Sequence, residues 1–123
     1  EVMSAGSSRF CDIKRSDNVW GMSLGVAAEY AVVPCSMAVP VPAQLSHAEA
    51  AGLGVAGLTS LLAYERNPIK AGQSVLVVGA SGGCGQFGVA LAGAMGAQVT
   101  GICSSRNVEF VRQLSPGLGT IVD

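Results

Sequence analysis

The stretch Ser74 to Gln86 (SVLVVGASGGCGQ) limits the fold more than any other, because strand-forming residues run straight into four glycines. Val75, Leu76, Val77 and Val78 form an apolar run without alternation, the pattern of a strand buried on both faces of a parallel sheet. Gly79 to Gly85 then turns the chain, and Phe87 to Met95 has the small and apolar residues of a helix packed on that strand. A turn of this kind leaves backbone N–H groups unpaired at a helix N-terminus, where the helix dipole favours negative charge, so it can hold a diphosphate. Side chains at Gly82 or Gly83 would obstruct the phosphates. Gly85 lets the helix lie close against its strand, and Gly88 and Ala92 extend that contact. The spacing Gly79-x-x-Gly82-x-x-Gly85 is one residue longer than the commonest dinucleotide fingerprint, so its weight comes from the strand and helix on either side.

Half of the 123 residues are apolar, enough to build a core. Seven basic against eight acidic residues, no basic run and six aromatics argue against a nucleic-acid partner. Cys11, Cys35, Cys84 and Cys103 are far apart, with no C-x-x-C pair and no nearby histidine. Zinc-finger spacing is therefore absent, a disulfide framework is not expected, and a reducing compartment is the reading. The chain opens on Glu1 and shows no basic segment followed by an apolar one, so a targeting segment is absent or has been removed. Ala71 to Ser105 carries no charge and is long enough to cross a bilayer. Against a span stand the polar turn Ser81 to Gln86, the Val-rich first half, and Gln98 and Thr100 in the second.

In chain order, Glu1 to Asp17 reads as an edge strand and loop. Asn18 to Met22 and Val26 to Pro34 read as antiparallel strands joined by Ser23-Leu24-Gly25. Met37 to Pro42 holds two prolines, which predicts an extended crossing segment and excludes a central strand or helix. Ser46-His47-Ala48-Glu49 is a capping box that starts a helix. The helix runs toward Tyr64 through Gly52, Gly54 and Gly57, so a break or two short helices are expected. Beyond the glycine turn, Gln98 to Cys103 is a second strand, Val108 to Leu114 a helix stopped by Pro116-Gly117, and Thr120 to Val122 a third strand. From Ser74 the order β-α-β-α-β is half of a doubly wound sheet.

With these residues placed, the chain resembles the medium-chain dehydrogenase/reductase superfamily, in its zinc-independent, quinone oxidoreductase-like branch. The matching residues are Asp17 to Gly21, Ala28 to Pro34, Leu45 to Ala51, Ala56 to Ser60, Gly79 to Gly85, and Val108 to Arg112 leading to Ile121-Val122-Asp123. The resemblance implies an α/β fold: a partial doubly wound Rossmann sheet preceded by the β-rich tail of a GroES-like domain. It implies that residues 1–45 close a GroES-like substrate domain and that 46–123 are a linking helix and the first half of an NADP-binding domain. It further implies an internal fragment of a longer protein, inactive by itself, with a homodimer expected for the whole. Cys84 stands where the family usually has Val, Ala90 and Gly93 where it has Gln and Lys, and Ser16 where a Gly precedes Asp17. The link Ser115 to Gly119 is longer than the family's. Zinc-dependent relatives insert a four-cysteine loop where only Ser23-Leu24-Gly25 stands here, and place a ligand cysteine near Val55 and Ala56. No metal site is therefore expected on this stretch.

An NAD-preferring site places a carboxylate at the end of the second strand to hold the ribose hydroxyls. Here the residues are Ser104, Ser105, Arg106 and Asn107, and the first acid is Glu109. Two hydroxyls and a guanidinium suit a 2′-phosphate, so the expected cofactor is NADPH. The expected cofactor-binding residues are Ser81, Gly82, Gly83, Cys84, Gly85, Ser104, Ser105 and Arg106. Thr59 joins them by resemblance, near the nicotinamide, against the equal alternative of a helix threonine bonded to its own backbone. Cys84 is expected to face inward as a small apolar group despite its place at a helix N-terminus. Tyr30 and Trp20 read as packing residues and His47 as a surface residue. No catalytic residue is assigned. The expected reaction is hydride transfer from NADPH to a small-molecule electron acceptor, a quinone or an α,β-unsaturated carbonyl compound. The alternatives are a 2-enoyl-thioester reductase and a non-catalytic NADP-binding sensor or structural protein. The expected location is cytoplasmic, with mitochondria or another organelle as the alternative.

Overall fold

A computed structural model describes residues 1–6, 11–115 and 118–122. The chain divides into two units, Glu1–Val55 and Ala56–Asp123. Its elements are β1 (Val19–Gly21), β2 (Ala38–Pro40), α1 (His47–Arg66), β3 (Ser74–Val78), α2 (Gly83–Ala94), β4 (Gln98–Ile102), α3 (Val108–Gln113) and β5 (Leu118–Val122).

In the first unit β1 pairs with β2 antiparallel, with Val19 opposite Pro40 and Gly21 opposite Ala38. The two strands expected at 18–22 and 26–34 are therefore corrected. The first exists, but 26–34 contains no strand, and its partner is the extended Pro-containing segment, which the prolines barred only from a central strand. The reason is positional. β2 is one of only two strands in its sheet, and Pro40 lies at its end, where no interior ladder donor is lost. The edge strand expected near the start is reduced to two bonds, Val2 N–H to Asp17 O (2.9 Å) and Ser16 N–H to Val2 O (2.8 Å). Ser16, where the family usually has Gly, has φ +71°, the left-handed conformation in which glycine is at ease.

Cys11 and Cys35 form a disulfide, with Cα atoms 5.8 Å apart. The expectation of no disulfide is thus corrected, and the reading of a reducing compartment loses the premise it stood on. Twenty-four residues of separation hid the pair.

The capping box closes as expected. Ser46 N–H donates to Glu49 Oε2 (2.8 Å), and Glu49 N–H donates back to Ser46 Oγ (3.3 Å). The Ser46 hydroxyl also donates to Glu49 Oε2 (2.7 Å), and this bond, with the one from Ser46 N–H, favours the carboxylate form of Glu49 and holds its pKa below the ordinary value. His47 is exposed, as expected. The helix breaks at Gly54 (φ −40°, ψ −109°), one of the three glycines that predicted an interruption.

In the second unit β3, β4 and β5 form a parallel sheet in that order, in register Val75 to Val99 and Val77 to Gly101. Residues of α2 and α3 join one core cluster against this sheet, as two crossovers of the usual hand in one direction require. Buried Val89, Ala92, Val99 and Val111 pack there with the half-buried Val75, Val77 and Ile121. The other face of β3 is open. Leu76 is 60% and Val78 is 73% exposed, so the strand is not covered on both faces among the described residues. The unbroken apolar run marked a parallel strand correctly but could not say which helices cover it. The stretch 71–105 forms β3, α2 and β4, and no described helix is long and apolar enough to cross a membrane. Pro116-Gly117, expected to stop α3, lies outside the described residues, as does Asp123.

Candidate functional site

The glycine turn occupies the carboxyl end of β3, where ligands settle in sheets of this type. Gly79 takes a left-handed conformation (φ +71°) and its carbonyl accepts the Gly82 N–H at 2.9 Å. This closes the turn and uses the last amide before the helix. Gly82 is then the N-cap of α2 and offers no side chain to cap it. The first intrahelical bond of the turn is Gln86 N–H to Gly82 O, 3.0 Å. Among the described residues the amides of Gly83, Cys84 and Gly85 are left without an acceptor. No acidic residue stands in the first turn of α2, so nothing there competes for the positive end of the helix.

The glycines separate into two kinds. A Cβ at Gly85 would overlap the Gly79 carbonyl and sit 2.8 Å from Ala80 Cα, so the fold itself demands glycine there. At Gly83 a Cβ would meet only Ala56 Cβ at 3.5 Å, an ordinary contact. Packing thus does not require Gly83, whereas an approaching anion would. Gly88 brings α2 onto β3, with Val77 Cγ1 3.6 Å from its would-be Cβ. Gly93, which replaces the family's Lys, lies against Ser115, a buried residue that a Cβ at position 93 would approach to 3.0 Å at Ser115 Cβ.

Two residues absent from the expected set hold the turn from α1. The Ser60 hydroxyl reaches the carbonyls of Ala56 (3.0 Å) and Cys84 (2.8 Å), and Ser60 is buried. The Tyr64 hydroxyl donates to Gly88 O (2.9 Å), and burial raises its pKa above the ordinary value. A helix spacing of four, 56-60-64, was the signal for this contact face. Thr59, next to Ser60, is exposed and makes no hydrogen bond among the described residues, so the alternative of a backbone-bonded threonine is not what the structure shows.

Cys84 is also exposed, with a free thiol, which corrects the expectation that it faces inward. Its place in the first turn of α2 directs it off the sheet, and the inward positions go to Gly88, Val89 and Ala92. Tyr30, read as packing, is 72% exposed, while Trp20 is half-buried.

At the end of β4 the chain enters a short turn, Ser105–Asn107, with Ser104, Ser105 and Arg106 all exposed. Asn107 Nδ2 donates to Ser81 Oγ (3.0 Å) and Ser104 Oγ (3.3 Å), so one amide joins the glycine turn to the end of the second strand. Asn107 was not in the expected set; its spacing from Ser104 in an S-x-x-N turn was the available sign. Glu109, the first acid, is exposed and 3.9 Å from Arg112.

Among the described residues no group of three or more His, Cys, Asp or Glu side chains could hold a metal ion. A concavity of about 870 Å³ lies in the first unit, lined in part by Val2, Val19, Tyr30 and Val32. Its carboxylate-bearing side chains, Glu1 and Glu29, would repel an anion, so it is no rival for the phosphates.

No family model matches the chain. It is 43% identical over 99 residues to a chloroplast envelope quinone oxidoreductase homolog of Arabidopsis thaliana, covering 73% of this chain and 29% of that protein. It is 36% identical over 119 residues to a trans-enoyl reductase of Aspergillus terreus, covering 91% of this chain and 33% of the relative. The chain spans about a third of the length of the curated relatives it matches. Among solved structures, a probable oxidoreductase from Mycobacterium abscessus superposes with a TM-score of 0.85 at 32% identity, over 96% of this chain and 39% of that one. The quinone oxidoreductase from Coxiella burnetii gives 0.83 at 29% identity, over 91% and 36%. An oxidoreductase from Salmonella enterica in complex with NADP gives 0.59 at 33% identity, over 70% and 28%.

Proposed function

Because the chain belongs to the medium-chain dehydrogenase/reductase superfamily, among its quinone oxidoreductase-like members, we propose that it forms the cofactor-gripping part of an NADPH-dependent reductase. The acceptor is a quinone or an α,β-unsaturated carbonyl compound. The observation that carries this reading is the pairing of bare amides at Gly83, Cys84 and Gly85 with a ribose end that offers hydroxyls and a guanidinium and no carboxylate.

In this reading the amides of Gly83 to Gly85, with Gly82 beside them, hold the diphosphate at the start of α2, and Ser81, bonded by Asn107, belongs to the ribose end. Ser104, Ser105 and Arg106 hold the 2′-phosphate. The similarity to an NADP-bound oxidoreductase supports the choice of nucleotide. Thr59 faces solvent one residue from the Ser60 tie, so its hydroxyl is available for the nicotinamide end. When bound, NADPH supplies the hydride; the chain's share is to fix both phosphate groups and orient the ring. Residues 1–45 are assigned to the end of a GroES-like substrate domain and 46–123 to the linking helix and first half of the cofactor domain. The open apolar face of β3 at Leu76 and Val78 agrees with a half-sheet that has more to bury. The whole protein is assigned as a homodimer acting on a small molecule in the cytoplasm, or in an organelle as for the chloroplast relatives.

A second reading, a 2-enoyl-thioester reductase, is favoured by the trans-enoyl reductase relative that aligns with 91% of the chain. The test is loss of NADPH absorbance with a quinone, an enone or an enoyl thioester as acceptor. Oxidation by the quinone or enone supports the first reading, and oxidation by the thioester alone supports the second. Binding without oxidation would mean a nucleotide-binding protein, and no binding would refute both.

A further inference from the structure

We infer that Asn107 is a positioning residue that sets the hydrogen-bond polarity of the 2′-phosphate pocket, an inference that rests on the NADPH reading above. Its Nδ2 group donates to Ser81 Oγ at 3.0 Å and Ser104 Oγ at 3.3 Å. A serine oxygen that accepts one bond keeps its own proton to give elsewhere. Both serines are held with an oxygen lone pair toward Asn107 and the hydroxyl proton free for an incoming anion. The amide is itself fixed, because Asn107 N–H donates to Ser104 O at 2.8 Å and ends the short turn on which Arg106 sits.

This bridge also ties together two chain segments of different origin. Ser81 belongs to the turn after β3 and Ser104 to the end of β4, 23 residues apart in sequence (104 − 81). Without the bridge, each hydroxyl rotates freely and satisfies itself with water. With a carboxylate in place of the amide, both serine protons turn inward to the carboxylate and a negative charge appears beside the phosphate. Asn107 therefore excludes the acid that would favour NADH and pre-orients the donors that favour NADPH. In this placement the amide acts on cofactor choice and not on the hydride step.

The test uses calorimetric titration of adenosine 2′,5′-bisphosphate and adenosine 5′-monophosphate into the wild-type protein, N107A and N107D. The wild type is expected to prefer the bisphosphate. N107A should lose about tenfold in bisphosphate affinity and N107D about a hundredfold, while the monophosphate changes by less than about twofold in both. In turnover, N107A should raise the KM for NADPH and leave kcat at saturation unchanged. Equal weakening of both nucleotides in N107A, with a lowered Tm, would overturn the inference by reducing Asn107 to a structural tie. An N107D protein that keeps the preference would overturn it by showing that the hydroxyls do not donate to the phosphate. A wild type with no preference would instead sink the cofactor assignment beneath it.

Discussion

The two units of this chain are held together by different means. In the second, Val89, Val99 and Val111 are fully buried between a parallel sheet and two helices, and an alanine-rich interior completes the core. In the first, Ala50 is the one hydrophobic residue buried among those described, and the work passes to a disulfide, a two-stranded ladder and a capping box. A hydrophobic core is a collective property, built from many close contacts whose loss is felt in proportion to the volume removed. A staple does not relax; it is present or cut. The glycine turn proposed to hold the nucleotide is built on the unit that packs, where its amides can be held still.

The contrast fails or sharpens under six changes. The largest effect is expected for Gly85→Val, because a side chain there meets the Gly79 carbonyl and Ala80 backbone at the point where α2 touches β3. A loss of roughly 3 kcal/mol or more, read by denaturant unfolding of the second unit, is expected together with loss of nucleotide binding. Gly83→Ala should cost little stability and still weaken binding, since packing leaves it room. The pair of results separates a glycine the fold needs from one the ligand needs.

Next in size is the disulfide. Replacing Cys11 and Cys35 by Ala should lower the stability of the first unit by about 3 kcal/mol from loop-closure entropy. The transition of the second unit should stay where it is. Movement of both transitions together would show that the units are not independent.

Smaller effects concern single polar groups. Ser60→Ala removes the hydroxyl that reaches the Cys84 carbonyl and should cost about 1 kcal/mol in the second unit. Ser16→Gly relieves a left-handed serine in the first unit and should gain about 1 kcal/mol. Both are read as shifts in the denaturant midpoint.

The smallest concerns Glu49, whose lowered pKa comes from its bonds to Ser46. A carboxylate with a folded pKa below its unfolded value adds stability above the unfolded pKa and loses it as pH falls through the folded one. Acidification through that window should destabilise the wild type more than Glu49→Ala. Equal acid sensitivity would dismiss the capping box as a contributor.

The same division explains what was legible in the sequence. Local chemistry was readable: the capping box at Ser46 and Glu49, the break near Gly54, and the strand–turn–helix order from Ser74. Each depends on residues a few positions apart. What depended on distant residues was not. The Cys11–Cys35 pair, the choice of Ala38–Pro40 as partner of β1, and the open face of β3 are set by how segments meet in space. In the candidate site the glycines and the Ser104 to Arg106 end could be named from pattern. Ser60 and Asn107 had only a local spacing to mark them, and their partners could not be read from it, because these are residues 24 and 26 positions away. The outward turn of Cys84 was missed for a related reason: its family counterpart, Val, carries an apolar preference that its position in the first turn of α2 does not enforce.

The central claim is that three main-chain amides at the start of α2 receive the diphosphate of NADPH. Amide resonances of Gly83, Cys84 and Gly85, followed by ¹⁵N-labelled NMR during titration with NADPH, test it without any assumption about the acceptor. The account predicts that these three move furthest downfield of all backbone amides, with Ser104 to Asn107 shifting for NADPH more than for NADH. Saturation binding that leaves the three amides in place, or that moves the Ser104 to Asn107 turn equally with either nucleotide, would contradict it.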